Sequence, residues 1–143
     1  MLVQLLLGSA LIGATAFVAA LSWWGLELVL VRSHHWLVRP SHGLKLIVVL
    51  SLAMLWTIVM MTASVWIWAT ALWLLHIFDT FEASVYFALV AFTTLGFGDI
   101  LLPLEWRLLG GLAAANGLLV FGLLTAMLVE TLTQIRMRQR GRI

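Results

Sequence analysis

The chain has 143 residues, of which 64% are hydrophobic and 10% charged, and a mean hydropathy of +1.12; a water-soluble domain of this composition would expose a large apolar surface, so the sequence reads as an integral membrane protein. Cysteine is absent, which excludes a disulfide framework and a thiolate metal site. With eight Lys and Arg against six Asp and Glu, the formal charge is only +2, so the placement of charges matters more than their sum.

Residues 1–31 form the first apolar segment, with Gln4 and Glu27 as its strongly polar side chains, and are expected to be a transmembrane helix. About 30 residues at about 1.5 Å each exceed a hydrocarbon core of about 30 Å, so part of the helix tilts or protrudes. A cleaved signal peptide is disfavoured, because the start lacks a positive n-region and the apolar part is too long. Ser9 and Gly13, then Ala16 and Ala20, recur at four-residue spacing and offer a face for docking on a neighbour, the other reading being a lipid-facing helix. Residues 32–44 read as a cytoplasmic loop whose His34, His35 and His42 either report pH or are simply solvated.

Residues 45–78 form the second apolar segment. Trp66, Trp68 and Trp73 gather toward its later end as an interface belt would, and Met54, Trp56, Met60 and Met61 read as packing and lipid contact. Residues 106–135 form the third, rich in Gly and Ala, and are expected to face protein more than lipid. Asn116 within it either lines a cavity or hydrogen-bonds between helices. The tail, 136–143, carries Arg136, Arg138, Arg140 and Arg142, a positive-inside anchor or a holder of anionic lipid head groups. These arginines, with Arg32, Arg39 and Lys45, place the N-terminus outside and the C-terminus in the cytoplasm of a multi-pass plasma (inner) membrane protein. Glu27 and Glu130 then lie near the cytoplasmic ends of spans one and three, either as interfacial salt-bridge partners or, for Glu130, as a charge beside a gate.

Residues 79–105 are too apolar for an aqueous loop and too interrupted by Gly and Pro for another crossing, so they fit a re-entrant segment. Their first part, about 12 residues and about 18 Å as a helix, covers roughly half a membrane. Thr80 or Asp79 is placed to cap it, with Glu82 in the first turn favoured by the helix dipole. The stretch that follows, FTTLGFGDI from Phe92 to Ile100, has Gly96 and Gly98 alternating with Leu95, Phe97 and Asp99. Irregular backbone at mid-depth is tolerated only in a protein interior or along a water-filled path. Alternating backbone hands turn successive carbonyls to one side, giving a column of oxygens from Thr94, Leu95, Gly96 and Phe97 that replaces the water shell of a cation. Asp99 then stands at an outer mouth where a carboxylate concentrates cations.

Thr93 to Asp99, T-T-L-G-F-G-D, resembles the potassium-channel filter T-T-V-G-Y-G-D, and Pro103, Trp106 and Arg107 fit that family's return to its inner helix. The resemblance covers roughly residues 83–132 and implies an all-α integral membrane fold, with three transmembrane helices plus a re-entrant pore helix and selectivity filter, assembled as a tetrameric pore. It implies K+ in the filter at Thr94, Leu95, Gly96 and Phe97, with no organic cofactor. Thr93, Gly98 and Asp99, with the pore-helix aromatics Tyr86 and Phe87, are the implied filter support and outer mouth. Gly117 is the implied gating hinge, Phe121 and Thr125 the pore-facing residues below the cavity, and Val129 the neighbour of the bundle crossing, with Glu130 beside it. Three departures stand out: Phe97 replaces a tyrosine and cannot donate a phenolic hydrogen bond, Val90 stands where the small bacterial members carry a glutamate, and Leu95 replaces a valine.

The other readings are a weakly selective cation channel, a regulatory subunit that does not conduct alone, a plain glycine-rich turn, and an intramembrane aspartyl protease of the GxGD type, which would need Asp79 together with Asp99. No arginine ladder marks the first two spans, which argues against a voltage sensor.

Overall fold

The computed structural model describes residues 1–32 and 42–139. Expectations for His34, His35, Arg39, Arg140 and Arg142, and for the side chains of Glu27, His42, Lys45, Arg136 and Arg138, lie outside the described residues. The protein is all-helical, with no strand among the described residues: α1 (Leu2–Arg32), α2 (His42–Leu74), a short α3 (Phe81–Phe92), a 3-10 turn (Leu104–Trp106) and α4 (Arg107–Gln139). Three helices are long and apolar enough to cross a membrane, through residues 2–25, 47–74 and 104–133, and the third is the most buried of them.

Within these helices the hydroxyls turn back on their own backbone, as hydrocarbon surroundings require. Thr57 donates to the Ala53 carbonyl at 2.9 Å, Ser64 to Met60 at 3.0 Å and Thr131 to Met127 at 2.8 Å. α2 stops at Leu74, short of the end of its apolar run, because His76 takes a left-handed φ of 54°. The Ile77 amide then reaches the Leu72 carbonyl at 3.2 Å and the His76 amide reaches Trp73 at 2.9 Å, a closure of the kind that ends helices.

The core lies where α2, α3 and α4 meet. α2 contributes Val65, Trp68, Ala69 and Leu72 at helical spacing, α3 contributes Ala88 and Phe92, and α4 contributes Leu109, Ala113, Val120 and Leu124. Trp68 is a correction to the interface-belt expectation: it is fully buried, edge-on to Phe92 with ring centroids 6.2 Å apart. Its indole Nε1 has no partner among the described residues. Trp66 and Trp73 are more exposed, and each meets Phe81 edge-on with centroids 6.0 Å apart. Of the two readings of the α1 small-residue stripe, docking within the chain does not hold. Ser9, Gly13, Ala16 and Ala20 are exposed, and the buried face is Gly8, Thr15, Ala19 and Ser22.

Candidate functional site

α3 is the short apolar helix of the segment expected to be re-entrant. Thr80 caps its first turn, its side-chain oxygen accepting from the Ala83 amide at 3.2 Å, and Glu82 sits in that turn where the dipole favours an acid. Phe81 at its start is held by Trp66 and Trp73 of α2, and Phe92 at its end by Trp68. The helix is therefore pinned at both ends by tryptophans of one neighbour.

Its C-terminus is closed by the residues that follow. The Thr93 amide and hydroxyl both donate to the Leu89 carbonyl, at 3.0 and 2.8 Å, the Thr94 amide donates to Ala91 at 3.0 Å, and the Leu95 amide to Val90 at 3.1 Å. The Phe92 carbonyl faces Gly117 of α4, so closely that a Cβ there would lie 2.3 Å from that oxygen and 2.6 Å from Phe92 Cα. Gly117 is thus the point at which the inner helix and the end of α3 touch backbone to backbone, a requirement beyond any hinge.

Beyond Thr93 the backbone alternates in hand. Thr94, Gly96 and Gly98 have φ of 57°, 56° and 76°, while Leu95, Phe97 and Asp99 between them do not enter the positive region. Thr94 lacks glycine's freedom, and a non-glycine residue in this region stores about 1–3 kcal/mol, which the amide bonds flanking it must offset. A Cβ on Gly96 or Gly98 would meet nothing within 4 Å, so their need for glycine is one of backbone angle and not of space. The Leu95 and Phe97 side chains are 60% and 65% exposed in the single chain. An open cleft of about 290 Å³ runs beside this segment, bounded by Val90, Ala91, Gly110 and Ala114.

Asp99 has a partner that the sequence did not reveal. The Tyr86 hydroxyl donates to Asp99 Oδ2 at 2.6 Å, and the Ile100 amide donates to Oδ1 at 3.0 Å. The phenol beside it, assisted by the backbone amides, holds the Asp99 carboxyl below its ordinary range. Tyr86 therefore ties α3 to the end of the glycine segment from the position expected of a supporting aromatic, two residues further along than Phe97. Phe87 turns the other way, against Phe78 with centroids 5.4 Å apart and beneath Gly110. Asp79, the second acid that a protease would need, borders a different cleft with Trp73 and His76.

On α4, Phe121, Thr125 and Val129 share one exposed face, with Glu130 exposed next to Val129. Asn116, left open between two roles by the sequence, is buried and bonded to Thr15 of α1, its Nδ2 lying 2.8 Å from Thr15 Oγ1. Thr15 and Trp68 are the two residues whose importance the sequence reading missed. For Thr15 a signal existed, since a hydroxyl in mid-span must find a partner.

Comparison with curated proteins and with solved structures returned no match. A family model described as "Ion channel" matches residues 44–134, which include nearly all of α2, all of α3 and the glycine segment, and most of α4, but exclude α1. With well over half of the chain matched, and a half-membrane helix leading into a TTLGFGD segment of alternating hand, the protein belongs to this ion-channel family, that of the two-transmembrane potassium-channel pore.

Proposed function

We propose that four copies of the chain assemble around a central axis as a potassium-selective channel, K+ dehydrating into cages formed by the carbonyls of Thr94, Leu95, Gly96 and Phe97. The observation that carries this reading is the run of left-handed φ at Thr94, Gly96 and Gly98, which gives a carbonyl column one wall per chain. A single chain leaves Leu95 and Phe97 largely exposed, and closure of a ring gives them neighbours. The α3 C-terminus, with its negative partial charge, faces the cavity below the filter and eases a cation through mid-membrane.

Bending at Gly117 moves the lower part of α4, where Phe121, Thr125 and Val129 line the path and Glu130 adds charge beside the gate. The basic ends of the helices lie in the cytoplasm of a plasma (inner) membrane, and Arg136, Arg138, Arg140 and Arg142 meet anionic lipid there, each contributing about 1 kcal/mol near the surface.

The test is cation flux into liposomes carrying the purified protein, with potassium or sodium as the internal ion. Uptake driven by potassium and absent with sodium is the expected result. Equal uptake would replace the selective filter by a loosened cation pore, and a non-tetrameric particle without flux would replace the channel by a regulatory subunit.

A further inference from the structure

α1 lies outside the matched pore module, yet it packs along α4 in the same direction, from Gln4 beside Glu105 to Thr15 beside Asn116. Toward the outer end, Gln4 Nε2 donates to the Glu105 carbonyl, and Gly8 approaches Leu112 so closely that a Cβ on it would lie 2.3 Å from Leu112 Cδ1. At the level of the hinge, Thr15 meets Asn116, the residue before Gly117; both side chains are buried, at 0% and 2% exposure. Below it, Ser22 accepts from Trp56 Nε1 of α2 at 2.7 Å and borders the same narrow cleft as Leu124, Met127 and Thr131 of α4.

The proton inventory at the central contact is restrictive. Thr15 Oγ1 lies within 3.1 Å of the Leu11 and Ile12 carbonyls and of both Asn116 side-chain heteroatoms, but it carries one proton. The shortest contacts assign that proton to the Ile12 carbonyl at 2.9 Å and leave Oγ1 accepting from Asn116 Nδ2 at 2.8 Å. Asn116 thus depends on α1 for the partner of its amide in a dry interior.

We infer that α1 is a splint on the gate: held to α4 above and at Gly117, and to α2 at Ser22 across a narrow cleft from lower α4, it favours the straight inner helix and so the closed channel. This rests on the reading of Gly117 as the hinge of a conducting pore. A bend at Gly117 tilts the lower half of α4 away from the upper, and one continuous 31-residue helix cannot follow both halves. Opening must therefore break the Thr15–Asn116 bond or widen the cleft that Ser22 shares with Leu124, Met127 and Thr131. The α1 contacts named here are made with α2, α4 and Glu105 and none with Thr94 to Gly98, so the splint acts on opening and leaves ion choice alone.

The experiment uses the full chain in planar bilayers. Thr15→Val keeps the side-chain shape and removes the acceptor, and is expected to raise open probability about threefold or more, with unit conductance and the potassium-to-sodium reversal potential unchanged, while Thr15→Ser keeps wild-type gating. Because the chain has no cysteine, Thr15→Cys combined with Asn116→Cys adds a readout that needs no current. Oxidation should cross-link the pair within one chain and lower the open probability, and reductant should restore it. Failure to cross-link in the membrane overturns the docking. Cross-linking without a change in wild-type-like current, or unaltered gating in Thr15→Val, overturns the splint alone. Absence of any current from the wild type overturns the channel reading and the splint with it.

Discussion

The Tyr86 phenol donates to Asp99 Oδ2 at 2.6 Å, joining the middle of α3 to the residue that follows Gly98. On the proposed reading, the pair supplies the brace that Val90 cannot provide and that Phe97, without a hydroxyl, cannot donate. It is a charge-assisted bond, stronger than one between neutral groups, and it fixes the end of the glycine segment against α3.

This bond sets a pH dependence. The folded Asp99 carboxyl lies below its ordinary range, chiefly through Tyr86, so the stability it contributes is present above the usual carboxylate pKa of about 3.9 and is lost as pH falls through the depressed value. Potassium flux is expected to persist as external pH falls through the ordinary carboxylate range. In Tyr86→Phe the acid limb should move upward toward that range, and flux at neutral pH should decay faster with time. An acid limb identical in the two proteins would mean that the bond does not support the conducting filter.

Gly117 tests the backbone contact with Phe92. A methyl group there meets the Phe92 carbonyl at 2.3 Å, so Gly117→Ala should destabilise the fold by about 1–3 kcal/mol and reduce flux, despite alanine's higher helix propensity. Gly13→Ala, where a Cβ meets nothing within 4 Å, should leave thermal stability in detergent equal or higher. Loss of stability in both, or in neither, would show that the close approach is not what Gly117 provides.

Much of this architecture was legible in the sequence because its signals are local. Apolar runs longer than a bilayer, a half-length helix with Thr80 and Glu82 at its start, and glycines two residues apart each state a backbone requirement directly. What was not legible depended on facing. In helices apolar on all sides, no pattern distinguishes the buried Gly8, Thr15, Ala19 and Ser22 from the exposed Ser9, Gly13, Ala16 and Ala20, and Trp68 looks like its neighbours Trp66 and Trp73. The end of α2 was hidden for another reason: histidine, not glycine, takes the left-handed position at His76, and Ile77 and Phe78 continue the apolar run past it. At the site, Tyr86 was read as filter support, but that its partner is Asp99 depends on how the chain bends after Gly98.

Trp68 separates shape from polarity. Its ring fills the space against Phe92, and its N–H is buried without a partner among the described residues. Trp68→Phe should cost little, since losing an unpaired donor offsets part of the lost volume. Trp68→Ala should cost about 3–5 kcal/mol and release the end of the pore helix. Melting temperatures of the purified protein decide this; a Phe variant as damaged as the Ala variant would point to a partner for the indole.

The start of the pore helix depends on Thr80, whose side chain satisfies the Ala83 amide. Thr80→Ala is expected to cost about 1 kcal/mol per chain, and Thr80→Asp to recover most of it through the helix dipole. Amide hydrogen exchange at Glu82 and Ala83 should rise in the Ala variant and fall again in the Asp variant. Exchange unchanged by either substitution would remove the cap from the account.

The most direct test of the central claim is the bi-ionic reversal potential of the full chain in a planar bilayer, with potassium on one side and sodium on the other. The account predicts a large potential set by potassium, lost in Gly96→Ala because alanine there is held at a φ of +56° at a strain of about 1–2 kcal/mol in each of four chains. A reversal potential near zero in the wild type, or one unaltered in Gly96→Ala, would contradict it.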